Sequence, residues 1–319
     1  MALPIEVFDM HAHLPVRPPG GGLPFGGWGQ RYAARFGEEK LRHLAQRQQG
    51  DQAWKYRAYN VPPPDPTPLS GPEAAARYAE EVEDHGLLGL TFMTGGGNDA
   101  LARAIAPYPK LHGFAHHSPF SPGAADELRR AVRELGLVGY KVIAPSLPGR
   151  IDSPELDPVW AACEELSVPV LIHFGPLGGV GGITAGENLD PLVLHDVAKG
   201  FPDVPFIVPH FGTGYVRELL HLMWACDNVH VDTCGTNRWR MWMWPKASLA
   251  ELFALFHSTV GASRILFGTD SSYFPRGWVQ AYLEEQFRAA LEAGIPEGDL
   301  EMIFSGNALR LLKLPSAGG

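Results

Sequence analysis

The sequence predicts an α/β fold, a (β/α)8 TIM barrel. Three observations predict it. Eight short apolar runs alternate with eight helix-like segments, and strict alternation builds a parallel sheet. Eight such units in 319 residues suit one closed barrel. Histidines and an aspartate stand at the same end of several runs, where a barrel gathers its site. An open doubly wound sheet is the structural alternative. It would carry a glycine-rich turn after its first strand. Here that strand ends in His11 and His13, and Gly95-Gly96-Gly97 lies outside any Gly-x-Gly-x-x-Gly pattern.

The expected strands are 5–10, 87–94, 111–115, 137–143, 168–173, 204–209, 229–233 and 264–268. Each is short, apolar and β-prone. The expected helices are 71–84, 98–106, 124–135, 154–166, 190–200, 215–226, 248–260 and 279–293, with a short one over 305–312. Ser153-Pro154 and Asp190-Pro191 each place a capping side chain before proline at a first helical position. Gly136, Gly200 and Gly294 fall where helices should end.

One domain, 1–319, is expected, with two insertions. Residues 14–70 follow strand 1, and Pro62-Pro63-Pro64 predicts irregular structure at their end. Residues 236–247 follow strand 7 and carry Arg238, Trp239, Arg240, Trp242 and Trp244. Both should lie on the C-terminal face, beside the site. The tryptophans suit either a substrate pocket or a subunit interface, so self-association stays open.

Composition narrows the function. Hydrophobic residues make up 45% and charged residues 19%, with a net charge of −9. No basic cluster stands out, which argues against a nucleic-acid or anionic-membrane partner and leaves a small-molecule substrate. No apolar stretch approaches the ~18 residues of a membrane span, and no signal peptide is visible. Cys163, Cys226 and Cys234 have no zinc-ribbon spacing. They read as buried thiols outside the site, in a reduced, cytoplasmic protein.

His11 and His13 are two residues apart, so period 2 puts both on one strand face. Asp9 shares that face a layer deeper and reads as support for the ligands. His173, His210 and Asp270 each follow an apolar run at the same end. A lone strand-end histidine is usually structural, and His112, His116, His117, His195 and His230 are read that way. Asp232 reads as a solvated loop residue. His-x-His with two further histidines and an aspartate reads as a metal site.

These segments resemble a known group. Phe8-Asp9-Met10-His11-Ala12-His13, Gly139-Tyr140-Lys141, Val170-Leu171-Ile172-His173, Val208-Pro209-His210-Phe211-Gly212, Leu266-Phe267-Gly268-Thr269-Asp270-Ser271 and Ser305-Gly306-Asn307-Ala308 are similar to the amidohydrolase superfamily. The similarity is to its amidohydrolase-related branch, which includes aminocarboxymuconate-semialdehyde decarboxylase. The resemblance implies that His11, His13, His173 and Asp270 bind a divalent metal, with His210 near the metal-bound water or the substrate. Neutral imidazoles and one carboxylate suit zinc, with manganese or iron(II) as alternatives, and one ion is favoured over two. Asp270 and His210 are the expected catalytic groups.

Lys141 has three readings: a substrate contact, a carboxylated bridge between two metals, and a structural lysine. The first is favoured. Arg238, Trp239 and Tyr273 are further candidate substrate contacts, and Arg240 and Arg276 could pair with a substrate carboxylate. The expected activity is hydrolysis of a C–N or C–O bond in a small organic substrate by metal-activated water. Non-hydrolytic decarboxylation of an aromatic or enoic acid is the alternative. A non-catalytic ligand-binding barrel is the alternative from another class.

Overall fold

A computed structural model describes residues 4–16, 26–50, 52–176, 186–235 and 238–315. Eight strands run in parallel: β1 (Phe8–Ala12), β2 (Gly89–Phe92), β3 (Leu111–Gly113), β4 (Tyr140–Ile143), β5 (Val170–His173), β6 (Phe206–Val208), β7 (Val229–Asp232) and β8 (Ile265–Leu266). They pair in chain order as two arcs, β1–β3 and β4–β8. Bridges join the arcs at both seams, Ala115 to Tyr140 and Ala12 to Ser271. Backbone bonds reinforce each seam: Lys141 N to Ala115 O at 2.8 Å, and His13 N to Ser271 O at 2.7 Å. The strands therefore share hydrogen bonds all the way round, as a TIM barrel requires.

Helices follow the strands, among them Gly71–Asp84, Asp157–Leu166, Leu249–Val260 and Gln280–Glu292. Two start on reciprocal caps, Ser70 with Glu73 and Ser248 with Glu251. Gly136 and Gly294 adopt left-handed backbone after their helices. Gly200 instead closes the helix His195–Gly200, with Phe201 as its cap. Ser153 makes no side-chain cap bond, whereas Asp190 accepts from Leu192 N at 2.8 Å.

The first insertion is more ordered than its proline-rich end predicts. It folds into helices Gly26–Phe36, Glu38–Gly50 and Gln52–Tyr59, because 38–50 is rich in Glu, Lys, Leu, Arg and Gln. Residues 61–70 hold no helix or strand, as expected. Residues 17–25, 51 and 236–237 of the two insertions, and the side chain of Trp242, lie outside what is described. At the far end, helix Glu297–Glu301, unexpected from sequence, leads through a wide turn at Met302–Gly306 into helix Asn307–Leu312.

The first strand departs from its expected register. Phe8 and Met10 belong to an inner apolar cluster with Phe114, Leu171, Ile207 and Leu266. Ala12, Val142, Ile172, Val208 and Val231 belong to the layer under the helices. Strict alternation would then turn His11 outward. A register irregularity between Asp9 and Ala12 resets the parity, as a bulge does. His11 thereby follows Met10 into the ring. Asp9 does not share that face; it bonds Trp278 Nε1 at 2.8 Å and Thr269 Oγ1 at 2.6 Å.

Candidate metal centre

The C-terminal strand ends bring His11, His13, His210, His173 and Asp270 together. His11 and His13 place their Nε2 atoms 3.2 Å apart. Asp270 Oδ1 lies 3.2 Å from His13 Nε2 and 4.0 Å from His11 Nε2. The His210 ring centres 5.5 Å from His11 and 5.1 Å from His173. His13 and Asp270 keep 22% and 30% of their side chains open, so they face the mouth. His11 is sealed beneath them.

Neighbouring groups aim each ring. His11 Nδ1 donates to Asp232 Oδ2 at 2.9 Å, which leaves the Nε2 lone pair pointing at His13. His13 Nδ1 meets Thr94 Oγ1 at 2.7 Å. His210 Nδ1 donates to Cys234 O at 2.9 Å, turning Nε2 inward. Asp9 accepts from His11 N at 3.0 Å and Thr269 N at 3.1 Å, pinning the β1 bulge to the β8 turn. Asp270 has left-handed backbone, φ 55°, and its N–H donates to His11 O at 2.8 Å.

Burial disfavours the charged forms of His11, His13 and His173. Burial lowers the His11 pKa to about 4 against the opposing pull of Asp232. Burial also pushes His13 down, and His173 well down. Burial alone would raise Asp270, but His13, His210 and His11 hold it well below the usual carboxylate range. Lys141 is buried and faces the ring, and that burial lowers its pKa to about 8 despite Cys234, Asp232 and Asp270.

A divalent cation fits these residues. Two neutral Nε2 lone pairs at 3.2 Å repel unless a cation lies between them. Ligands each about 2.0–2.1 Å from a tetrahedral zinc stand about 3.3 Å apart. His173 Nε2 is buried without a hydrogen-bond partner, a loss of about 1–3 kcal/mol that coordination would remove. Among the described residues, His11, His13 and Asp270 bring their ligand atoms within 4.8 Å of one another, close enough to share an ion, and His11, Asp232 and Cys234 form a second such group.

Two expectations need correction here. Asp232 is fully buried rather than solvated. Cys234 is not remote, since its Sγ lies 3.0 Å from both His11 Nδ1 and His210 Nδ1. His230, Asp232 and Cys234 alternate along β7 and past its end, and that period was the sequence signal for both. Trp239 is buried on Phe211, its ring 6.0 Å away, and backs His210 across Gly235.

Other candidates lie at the rim. A Cβ on Gly235 would stand 2.5 Å from Trp239 Cδ1 and 3.3 Å from His210 Nδ1. Tyr273 donates its hydroxyl to Pro62 O at 2.7 Å, fastening the first insertion to the β8 loop. Arg276 donates to Asp270 O and to Ser272 Oγ, with its guanidinium 4.9 Å over the Tyr273 ring. Arg238 is exposed on the second insertion. Trp244 is 92% exposed. No described helix is long and apolar enough to cross a membrane.

A sequence model of the amidohydrolase family matches residues 8–314. The chain belongs to the amidohydrolase family. Among its relatives in that family is the gamma-resorcylate decarboxylase of Polaromonas sp. (strain JS666 / ATCC BAA-500), 28% identical over 260 residues, 68% of this chain and 75% of that one. The gamma-resorcylate decarboxylase of Rhodococcus jostii is 40% identical over 166 residues, 42% of this chain and 49% of that one. Solved amidohydrolase-type folds match with low identity. A manganese-bound 5-carboxyvanillate decarboxylase from Novosphingobium aromaticivorans has a TM-score of 0.62 at 16% identity, covering 98% of this chain and 97% of its own. An uncharacterized TIM-barrel protein from Bordetella bronchiseptica has a TM-score of 0.61 at 20% identity, covering 97% and 99%. These likenesses carry the barrel and nothing finer.

Proposed function

We propose that this amidohydrolase-family enzyme is a metal-dependent, non-hydrolytic decarboxylase of a hydroxylated aromatic acid. The proposed site holds one divalent ion, zinc or manganese, on His11, His13, His173 and Asp270. The observation that carries the reading is the set of relatives matched over about two thirds of the chain, which are named decarboxylases. Hydrolase names come from fold likenesses at 15–17% identity. Decarboxylation therefore replaces hydrolysis as the preferred chemistry.

When bound, the cation supplies Lewis-acid polarisation of substrate oxygens. The protein's own groups do the rest. Lys141, and Arg238 at the rim, attract the substrate carboxylate. Asp270, ionised in the resting site, takes the proton of the substrate's phenolic hydroxyl. It then delivers that proton to the ring carbon that loses its carboxylate. The C–C bond breaks, its electron pair stays on the ring carbon to form the new C–H bond, and CO₂ leaves. The phenolate recovers a proton from water. His210 Nε2, aimed inward by the Cys234 carbonyl, holds the substrate hydroxyl by a hydrogen bond.

The test is incubation of manganese-loaded protein with 2,6-dihydroxybenzoate in ¹⁸O-water. The expected result is one CO₂ per substrate consumed, no label in the aromatic product, and loss of turnover on chelation with recovery on re-addition. No CO₂ from 2,6-dihydroxybenzoate, together with uptake of one label on ring opening of the lactone 2-pyrone-4,6-dicarboxylate, would favour hydrolysis. One observation favours that second reading. Lys141 is buried, faces the ring and has a pKa of about 8, so its neutral amine could be carboxylated and bridge a second ion. Two bound ions per chain would support it.

A further inference from the structure

Asp232 touches both imidazole arms of the site through one carboxylate. Its Oδ2 takes the His11 Nδ1 proton at 2.9 Å. Its Oδ1 accepts from Cys234 N at 3.0 Å and His210 N at 3.2 Å. The side chain is completely buried, so no water competes for these oxygens. The second contact falls where the backbone is strained: His210 has φ 57° and Phe211 φ 47°. Left-handed backbone is disfavoured for non-glycine residues unless surrounding contacts over-determine it. The Asp232 bond to His210 N is such a contact, and it precedes the turn that lets His210 Nδ1 reach Cys234 O.

We infer that Asp232 is a positioning residue that sets the His11 tautomer and the His210 loop together. The inference rests on the reading of His11 as a metal ligand. It assigns Asp232 no contact with substrate or metal. The rival assignment is a second cation held by His11 Nδ1, Asp232 Oδ2 and Cys234 Sγ. The geometry favours positioning, because three N–H donors already occupy the carboxylate. A second ion would need the His11 ring stripped of its remaining N–H proton, as an imidazolate.

Two measurements test it. The first uses unaltered, metal-free protein labelled with ¹⁵N-histidine. His11, assigned by its loss in His11→Gln, is expected as the Nδ1–H tautomer; an Nε2–H tautomer overturns the inference without any variant at Asp232. The second titrates Mn²⁺ into wild type and Asp232→Asn and reads free Mn²⁺ by electron paramagnetic resonance. Loss of an outer hydrogen-bond partner typically weakens metal affinity 10–100-fold, and that is the expected shift. With 2,6-dihydroxybenzoate, kcat is expected to stay reduced at saturating Mn²⁺ with KM little changed, because the His210 loop has also lost its acceptor. If wild type takes up no Mn²⁺, the metal reading falls and this inference with it. If wild type binds and Asp232→Asn binds equally well, the inference alone falls. Two Mn²⁺ per wild-type chain, one of them lost in both Asp232→Asn and Cys234→Ala, would establish the rival site.

Discussion

The two ends of the barrel interior use the same strands for opposite purposes. At one end Phe8, Met10, Phe114, Leu171, Ile207 and Leu266 interlock with Ala308, Leu309, Leu311 and Leu312 of the last helix. At the other end, one step further along β1 and β5, His11 and His173 replace Met10 and Leu171 as the inward residues. The apolar end buries surface worth about 25 cal/mol per Å². The polar end collects neutral imidazoles, a buried lysine and two carboxylates, groups that are costly to bury unless paired. Stability and chemistry are therefore separated by about one strand repeat.

The sharpest way to break this comparison is to mutate the same face of β5 at two neighbouring positions. His173→Ala removes a proposed ligand whose Nε2 has no protein partner. Several kcal/mol of metal-assisted stabilisation would go, so kcat/KM should fall about a thousandfold or more. The melting temperature of metal-free protein should barely change. A His173→Ala protein that keeps full turnover and metal content would sink the ligand set.

Leu171→Ala, two residues earlier, should do the reverse. Leu171 is fully buried in the inner cluster, and such truncations cost about 2–5 kcal/mol through lost contacts and a cavity. Denaturant unfolding should show that loss, while metal per folded chain stays the same. Equal damage to metal binding would mean that the two ends are not separable.

Gly268 sharpens the boundary between them. A Cβ there would stand 2.9 Å from both the Cys234 Cβ and the His11 Cβ. Gly268→Ala should destabilise by about 1–3 kcal/mol, as overpacking does. It should also weaken metal binding, because the side chains that must move carry the site. Unchanged metal affinity would show that the bulge at β1 absorbs the extra carbon.

Legibility in the sequence follows the same division. The polar strand ends were readable because an imidazole after three apolar residues is conspicuous, as in Val170-Leu171-Ile172-His173. The barrel was readable because its alternation is local. Asp9 was misplaced because a bulge is a pairing property of two strands, invisible in one of them. Cys234 was underrated because it lies one residue past the expected strand 229–233, and Asp232 because a carboxylate at a strand end was read as solvent-facing rather than as the next inward residue after His230. Trp239 and the first insertion depend on contacts such as Phe211 and Tyr273 to Pro62, which no local pattern encodes.

The smallest predicted effect tests the apolar end through a titrating intruder. His230 lies inward on β7 one step below Asp232, and its Nδ1 is buried without a partner. Burial, then Arg310 and Arg264, lower its pKa to about 3. Its unfolded value is about 6.5. A base with a depressed folded pKa is neutral in the fold but gains a proton on unfolding. Its contribution is therefore present above pH 6.5 and lost as pH falls towards 3, at up to about 1.4 kcal/mol per pH unit. His230→Gln removes that titration. Between pH 6.5 and 5.5 the variant should lose about 1 kcal/mol less stability than wild type, read as a smaller shift in urea midpoint at constant slope. Parallel curves would mean that His230 is solvated in the native protein, and that the lower barrel is wetter than its apolar lining implies.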